Sequence, residues 1–295
     1  MKTPQQLHIP VLLDIVMQYL HPKKGENLLD LTAGYGGHSS EILNITKNVK
    51  ESVLVDRDIN AIRELKKQCG LANADFINND FLAAVKELKN QNKKFDLILM
   101  DLGVSSSQLD DASRGFSFQN EASLDMRMDK NQNLTANEVI NRSSEKSLKE
   151  IIVKYGEEKP KVAGRIAKAI RLNRPISTTK ELANIVLRVH HGKGKIHPAT
   201  RTFQAIRIVV NDELNLLTET LPIACDLLKT GGRIGVISFH SLEDVIVKSY
   251  FNEQSRAGYE STLSLLTKKP IQADENEIVY NPRSRSAKLR VAVKK

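Results

Sequence analysis

The chain of 295 residues contains no tryptophan and only two cysteines, and aromatic side chains make up 5% of it. Cys69 and Cys225 stand far apart with no second thiol nearby, so the sequence indicates neither a disulfide framework nor a zinc cluster. Two buried thiols are expected instead. No uncharged run approaches the ~20 residues that span a bilayer, and the first residues lack the apolar stretch of a signal peptide. We therefore expect a cytoplasmic protein with no membrane partner and no bound metal.

Acidic residues are scarce in the middle of the chain. The net charge is +9, and residues 104–211 hold 19 Lys and Arg against 11 Asp and Glu. Residues 281–295 hold six basic side chains and no acid. Concentrated positive charge favours a polyphosphate partner, because each neutralised phosphate releases condensed counterions. A solvated helical surface explains the same charge equally well.

Short apolar runs alternate with helical patterns over the first hundred residues, which is typical of a parallel sheet covered by helices. The predicted strands occupy residues 27–31, 52–56, 75–78 and 95–101, and a helix is predicted over 59–68. The next convincing strand, 233–238, follows a predicted turn at Gly231-Gly232. Most of the intervening stretch has helical periodicity, and Thr178 or Thr179 can cap one of its helices with support from Glu181.

These patterns predict an α/β fold, an open parallel sheet with a helical insertion. The sheet domain is expected to comprise residues 1–103 and 212–295, the latter ending in a basic C-terminal tail. The insertion is expected to comprise residues 104–211.

Glycines and acids lie where the predicted strands end. In an open parallel sheet, ligands bind outside the carboxyl ends of the strands, where the strand order reverses. The turn Gly34-Tyr35-Gly36-Gly37 follows the first strand and lets the backbone approach a ligand closely. Asp56 ends the second strand and can accept both hydroxyls of a ribose, while Asp80-Phe81 follows the third and can read the edge of adenine. Each acid alone is more often a capping or solvated residue, but acids at successive strand ends favour a nucleoside site.

Two cofactor classes contain such a nucleoside, the dinucleotides and S-adenosyl-L-methionine. The dinucleotide pattern G-x-G-x-x-G, started at Gly34, requires glycine at position 39, which is Ser39. S-adenosylmethionine has no pyrophosphate to place at a helix N-terminus, so it does not need that glycine. The sequence therefore favours S-adenosylmethionine over NAD.

Asp101 and His240 are the candidate catalytic residues. Asp101 ends the fourth strand, and a carboxylate there can accept the N–H bonds of an exocyclic amine, which frees the nitrogen lone pair for methyl transfer. His240 follows the fifth strand on the same rim. Binding an RNA phosphate, positioning a base, relaying a proton and capping the helix that begins near Leu242 all remain open for His240.

Motifs along almost the whole chain resemble those of the RsmH (MraW) methyltransferases, which methylate N4 of a cytidine in the decoding region of bacterial small-subunit ribosomal RNA. They include Gly34-Tyr35-Gly36-Gly37-His38-Ser39, Asp101-Leu102-Gly103-Val104-Ser105-Ser106, Leu124-Asp125-Met126-Arg127-Met128-Asp129, His197-Pro198-Ala199-Thr200-Arg201 and Ser238-Phe239-His240-Ser241-Leu242-Glu243-Asp244. The resemblance implies a Rossmann-like class I S-adenosylmethionine-dependent methyltransferase with a helical substrate-recognition insertion.

The resemblance also implies an activity and a set of binding residues. The activity is that of an rRNA (cytosine-N4-)-methyltransferase whose partner is 16S ribosomal RNA in the small ribosomal subunit. The family's cofactor-binding positions are occupied here by Gly36, Gly37, His38, Asp56, Phe81, Asp101 and Gln108. Two alternatives are a non-catalytic RNA-binding ribosome assembly factor, and a NAD-dependent oxidoreductase, against which Ser39 argues.

Overall fold

The chain divides into two units, one of which is assembled from both ends of the sequence. The computed structural model describes residues 10–190, 197–256 and 258–295. The first unit comprises residues 1–103 and 214–295, and the second comprises residues 104–213.

The strands of the described residues all belong to one sheet in the first unit. They are β1 (Leu28–Asp30), β2 (Val53–Val55), β3 (Asp75–Ile77), β4 (Phe95–Asp101), β5 (Leu228–Ser238), β6 (Leu263–Leu265) and β7 (Lys288–Lys294). The order across the sheet is β3-β2-β1-β4-β5-β7-β6. Strands β1 to β5 pair in parallel, whereas β7 pairs antiparallel with both β5 and β6. The order reverses between β1 and β4, so their carboxyl ends border the crevice in which such sheets bind ligands. The predicted α/β class is confirmed.

The helices of the described residues alternate with these strands or fill the second unit. They are α1 (Leu13–Leu20), α2 (Gly37–Thr46), α3 (Ile59–Leu65), α4 (Phe81–Asn90), α5 (Ser106–Asp110), α6 (Ala136–Arg142), α7 (Glu145–Gly156), α8 (Pro160–Leu172), α9 (Thr179–Val189), α10 (Ala199–Asn211), α11 (Glu213–Leu227), α12 (Ser241–Arg256) and α13 (Glu275–Tyr280). Among them, no helix combines the length and the apolar character that a membrane span needs.

Apolar side chains cover both faces of the sheet. Helices α1, α2 and α3 bury one face through residues such as Leu20, Ile42 and Leu65. Helices α4, α11 and α12 bury the other through residues such as Leu221 and Val247. Because β1, β2 and most of β4 are buried on both sides, they form continuous apolar runs, as parallel strands usually do.

The second unit has a helical core of its own. Buried side chains of α6 to α10 pack together, among them Ile140, Ile152, Ile166 and Val186. Its helix α9 begins with a capping box, in which the Thr178 hydroxyl accepts the Glu181 N–H and the Glu181 carboxylate accepts the Thr178 N–H. The prediction that Thr178 or Thr179 caps this helix is confirmed for Thr178.

Within the basic C-terminal tail expected from the sequence, Lys288–Lys294 form strand β7. In β7, Leu289 and Val291 are fully buried. Arg290 is also buried, because its Nε donates to Asp244 Oδ1 at 2.6 Å and its charge is neutralised there. Lys288, Arg290 and Lys294 conceal the apolar alternation of this strand in the sequence.

Three smaller predictions also differ from the structure. Strand β5 begins at Leu228, and Gly231-Gly232 lies within it, where the register against β4 shifts, rather than in a turn before it. Helix α3 ends at Leu65 rather than at Gln68. Cys225 is buried as expected, but Cys69 is exposed.

Candidate active site

The loop between β1 and α2 is organised by Asp30, the last residue of β1. Its Oδ1 accepts the Thr32 N–H at 3.1 Å, and its Oδ2 accepts the Ser39 hydroxyl. Thr32 in turn accepts the Asp101 N–H through its Oγ1 at 2.6 Å, which ties this loop to the end of β4. The side chain of Asp30 is almost completely buried, and burial raises its pKa to about 6. Ser39, which stands where the dinucleotide pattern requires glycine, therefore uses its hydroxyl to hold the loop through Asp30.

Gly36 and Gly37 allow the chain to turn tightly into α2. Gly36 caps the helix with φ of +82°, and a Cβ atom there would lie 2.8 Å from both Leu65 and Leu71. A Cβ atom on Gly37 would lie 2.5 Å from the Pro10 ring. Both positions require glycine because packing and backbone conformation leave no room for a side chain.

Asp56 lies directly beyond β2 and bridges the neighbouring loops. Its Oδ2 accepts the Gly34 N–H at 2.8 Å, and its Oδ1 accepts the Asp58 N–H at 2.8 Å. Burial raises the pKa of Asp56 to about 6, although both hydrogen bonds favour the ionised form. Each carboxylate oxygen has capacity for a second hydrogen bond, which fits the pair of acceptors that a ribose needs.

Asp80 and Phe81 take up the start of α4. The Asp80 carboxylate accepts the Ala83 N–H at 2.8 Å and so caps the helix. The capping alternative is therefore the role that the structure shows for Asp80. Phe81 is the first residue of α4 and is partly buried against the core of the first unit.

Asp101 ends β4 at the reversal of strand order and carries a buried acceptor. Its Oδ1 has no hydrogen-bond partner within the described residues, while the side chain as a whole is 26% exposed. Burial, together with the carboxylates of Asp30 and Glu243, raises the pKa of Asp101 well above its ordinary value. A buried oxygen without a partner is costly, and ligand atoms commonly satisfy such groups.

His38 faces the other oxygen of Asp101. Its Nε2 lies 2.9 Å from the carbonyl oxygen of Val11, and its Nδ1 lies 3.7 Å from Asp101 Oδ2. A carbonyl can only accept, so Nε2 carries a proton and Nδ1 is the atom directed at the carboxyl group. His38 therefore lies beside Asp101 without a hydrogen bond to it.

His240 and Glu243 form the start of α12. The Glu243 carboxylate accepts the N–H groups of Phe239 and His240, at 2.7 and 3.3 Å. The Nδ1 of His240 accepts the Glu243 N–H at 3.4 Å, and its Nε2 lies 3.2 Å from Glu243 Oε1. His240 thus has the capping role that the sequence left open, and α12 begins at Ser241. Glu243 is nearly fully buried and adds a carboxylate beside Asp101 that the sequence analysis did not single out.

Gln108 belongs to the second unit, where it is the third residue of α5. Its side-chain oxygen accepts the Ser105 N–H at 3.1 Å, and the Ser105 hydroxyl accepts the Gln108 N–H. This capping box fixes the Gln108 side chain, which is buried.

The arrangement in the first unit favours a cationic ligand. Asp30, Asp101 and Glu243 are close enough for the two others to raise the pKa of Asp101, so a positive charge nearby lowers the energy of all three ionised groups. A pyrophosphate would add negative charge to the same cluster. The ammonium and sulfonium charges of S-adenosylmethionine fit these acids, and its ribose fits Asp56.

Replacing Asp30 by Asn provides a test of this electrostatic strain. The folded-state pKa of about 6 exceeds the ordinary 3.8, so the folded protein binds the extra proton first and this group gains stability as pH falls. The raised pKa corresponds to a loss of roughly 3 kcal/mol of folding stability at pH 7.5, most of which is recovered near pH 4.5. We expect the stability of Asp30→Asn relative to the parent to be greatest at pH 7.5. This relative stability should fall by about 2 to 3 kcal/mol between pH 7.5 and pH 4.5. Denaturant unfolding at both pH values measures this, and a pH-independent difference would contradict it.

Comparisons with known proteins agree with the motifs. The model of the family described as "MraW methylase family" matches residues 5–295. The protein named "Ribosomal RNA small subunit methyltransferase H" of Synechocystis sp. is 46% identical over 293 residues, covering 97% of this chain and 93% of that relative. The protein of the same name from Heliobacterium mobile is 41% identical over 309 residues, covering 97% of this chain and 98% of that relative. The prediction made from the motifs is confirmed: this chain belongs to the MraW methylase family.

Proposed function

We propose that this protein transfers a methyl group from S-adenosylmethionine to N4 of a cytidine in the decoding region of 16S ribosomal RNA. The observation that carries the proposal is the buried Oδ1 of Asp101, an acceptor without a partner in the described structure, at the end of β4 where the strand order reverses. Family membership and the names of the relatives support the same activity.

The first unit would hold the cofactor through its strand ends. Asp56 accepts the ribose hydroxyls, and the acids around Asp101 attract the positive charges of the methionine part. Gly36 and Gly37 give the backbone the close turn that the family's binding positions need, and His38 follows them in α2. Phe81, the first residue of α4, occupies a further position of that set. When bound, S-adenosylmethionine supplies an electrophilic methyl group.

Asp101 would prepare the amine for attack. The N4 nitrogen of cytosine shares its lone pair with the ring, and hydrogen bonds from its N–H groups to a carboxylate favour the pyramidal form in which that pair is free. The lone pair would form the new N–C bond as the methyl group's bond to sulfur breaks, with S-adenosylhomocysteine as the leaving group, and one N4 proton would afterwards pass to Asp101. Neighbouring acids raise the pKa of Asp101, which makes it a better acceptor for that proton.

The second unit would bind the RNA; its Gln108 occupies one of the family's cofactor-binding positions. Its excess of basic residues suits a polyphosphate chain, and a cytidine must leave its stack to reach a buried acceptor. Ribosomal RNA as substrate also implies that the protein works in the cytoplasm.

The experiment that tests the proposed function uses isotopically labelled S-adenosylmethionine and small ribosomal subunits from cells that lack this protein. We expect the label to appear in N4-methylcytidine after digestion of the RNA to nucleosides and mass spectrometry. Label found only in protein, or in another nucleoside, would overturn the assignment. A non-catalytic assembly factor predicts tight binding of the subunits with no label in RNA.

A further inference from the structure

Helix α8 carries a row of basic side chains along one exposed face. Its buried residues Ala163, Ile166, Ala167 and Ile170 form the apolar stripe. Lys161, Arg165 and Lys168 occupy the opposite face and are exposed. We call these three residues the basic stripe. Their spacing of four and three residues places them in line on one side of the helix.

No acid of the described structure pairs with the basic stripe. Several other basic side chains are neutralised: Arg171, at the end of α8, pairs with Glu145 of α7 at 2.7 Å. At the amino ends of the sheet strands, Lys89 pairs with Asp226 and Lys229 pairs with Asp96, at 2.9 and 2.8 Å. A solvated helix face usually mixes charges so that neighbours three or four residues apart attract each other, whereas here they repel.

The position of the charges along α8 is also unfavourable for the helix itself. Its first turn contains Lys161 and no acid, and Lys159 stands at the N-cap without a capping side chain. Positive charge at a helix N-terminus opposes the helix dipole. Lys161 therefore does not serve the stability of the helix, and an external anionic partner explains its position better.

Helix α7 widens this surface. A Cβ atom on Gly164 would lie 3.7 Å from Cδ of Lys149, so the Lys149 stem passes over α8 next to Arg165. Lys149 is exposed. From Lys161 to Lys168 the stripe is about 10 Å long, so its three cationic side chains can reach separate phosphates of one strand.

We propose that the basic stripe on α8, flanked by Lys149, binds the phosphate backbone of the substrate RNA. The proposal rests on the proposed function for the identity of that RNA, but the chemistry of the contact needs only consecutive phosphates. It names the surface through which the second unit holds its substrate.

The test uses the full-length triple variant Lys161→Gln, Arg165→Gln and Lys168→Gln. RNA affinity is measured by filter binding to a transcript of small-subunit ribosomal RNA at several salt concentrations. Loss of three phosphate contacts lowers the slope of log affinity against log salt by about 2 to 3, and weakens binding about 100-fold at 0.1 M salt. Thermal unfolding is expected to be unchanged, because these side chains are exposed and unpaired in the described structure.

A matched control removes the same charge elsewhere. Lys24, Lys50 and Lys93 precede β1, β2 and β4 on the opposite edge of the sheet from Asp101, and their triple Gln variant has the same net charge. We expect the control to keep most of the salt slope. Equal losses of RNA affinity in both variants, or an unchanged salt slope in the stripe variant, would overturn the proposal. Weaker binding of the stripe variant to intact subunits but not to the transcript would also overturn it, because that result indicates a protein partner.

Methyl transfer separates this proposal from the proposed function. With intact subunits as substrate, the stripe variant should show a higher KM for RNA and an unchanged kcat at saturation. If the parent protein binds the transcript through the stripe but no cytidine is methylated, the phosphate surface stands and the proposed reaction falls.

Discussion

Asp101→Asn is expected to lower the rate of methyl transfer by about 100-fold or more when cofactor and RNA are saturating. Asn retains one acceptor oxygen, but it lacks the charge that draws in both the amine N–H and, later, its proton. Single-turnover measurements with labelled S-adenosylmethionine isolate this step from cofactor affinity, which the same substitution is also expected to weaken. Asp75→Asn is the control, because Asp75 is exposed at the amino end of β3.

The same substitution should stabilise the fold. Asp101 has a pKa raised well above its ordinary value, so above that ordinary value the group costs folding free energy that Asn does not. The midpoint of thermal unfolding without ligand is therefore expected to rise while activity falls. A variant that keeps its rate would remove Asp101 from the chemistry, and one that loses both rate and stability would mark it as structural.

This opposition between stability and activity follows from how the site is built. Asp30, Asp101 and Glu243 are brought together at the ends of β1, β4 and β5 by a sheet whose core is otherwise apolar. Two histidines lie beside these acids: His38 Nδ1 is 3.7 Å from Asp101 Oδ2, and His240 Nε2 is 3.2 Å from Glu243 Oε1. These acids raise the pKa of Asp101, whose Oδ1 has no partner in the described residues, so a cationic ligand beside Asp101 is favoured.

The sequence predicted the sheet as far as β4 because parallel strands buried on both faces form continuous apolar runs. Asp56 and Asp101 could be found as well, since they directly follow such runs. Strand β7 could not, because Arg290 is buried only through its pairing with Asp244, a contact between residues far apart in sequence. Periodicity treats a buried arginine as a surface residue.

Glu243 was missed for a related reason. It stands at the third position of α12, where a Glu commonly completes a cap, and its spacing from His240 is the available signal. In the sequence, Glu243 is fully explained as a helix-capping residue. Its effect on the pKa of Asp101 cannot be found there, because that effect depends on β4 and β5 being neighbours in the sheet.

Asp56→Ala is expected to weaken binding of S-adenosylmethionine by about 100-fold or more. A hydrogen bond to a charged group is worth about 1.5 to 3 kcal/mol, and two ribose hydroxyls are affected. Isothermal titration calorimetry with S-adenosylhomocysteine and S-adenosylmethionine measures the loss. Asp58→Asn is the matched control: Asp58 lies two residues away and caps α3, and Asn retains a capping oxygen while removing a charge.

The pH dependence of cofactor binding distinguishes a direct contact from a structural role for Asp56. Its pKa is about 6 in the free protein, and hydrogen bonds donated by ribose favour the ionised form, so the pKa must be lower in the complex. Linkage then requires the affinity to fall as pH drops through 6. Asp30 and Asp101 also titrate, so the informative quantity is the difference between the parent and Asp56→Asn, which should shrink below pH 6. If Asp56 only holds Gly34 and Asp58 in place, the two proteins will show parallel profiles, and the ribose contact would have to be assigned to another residue.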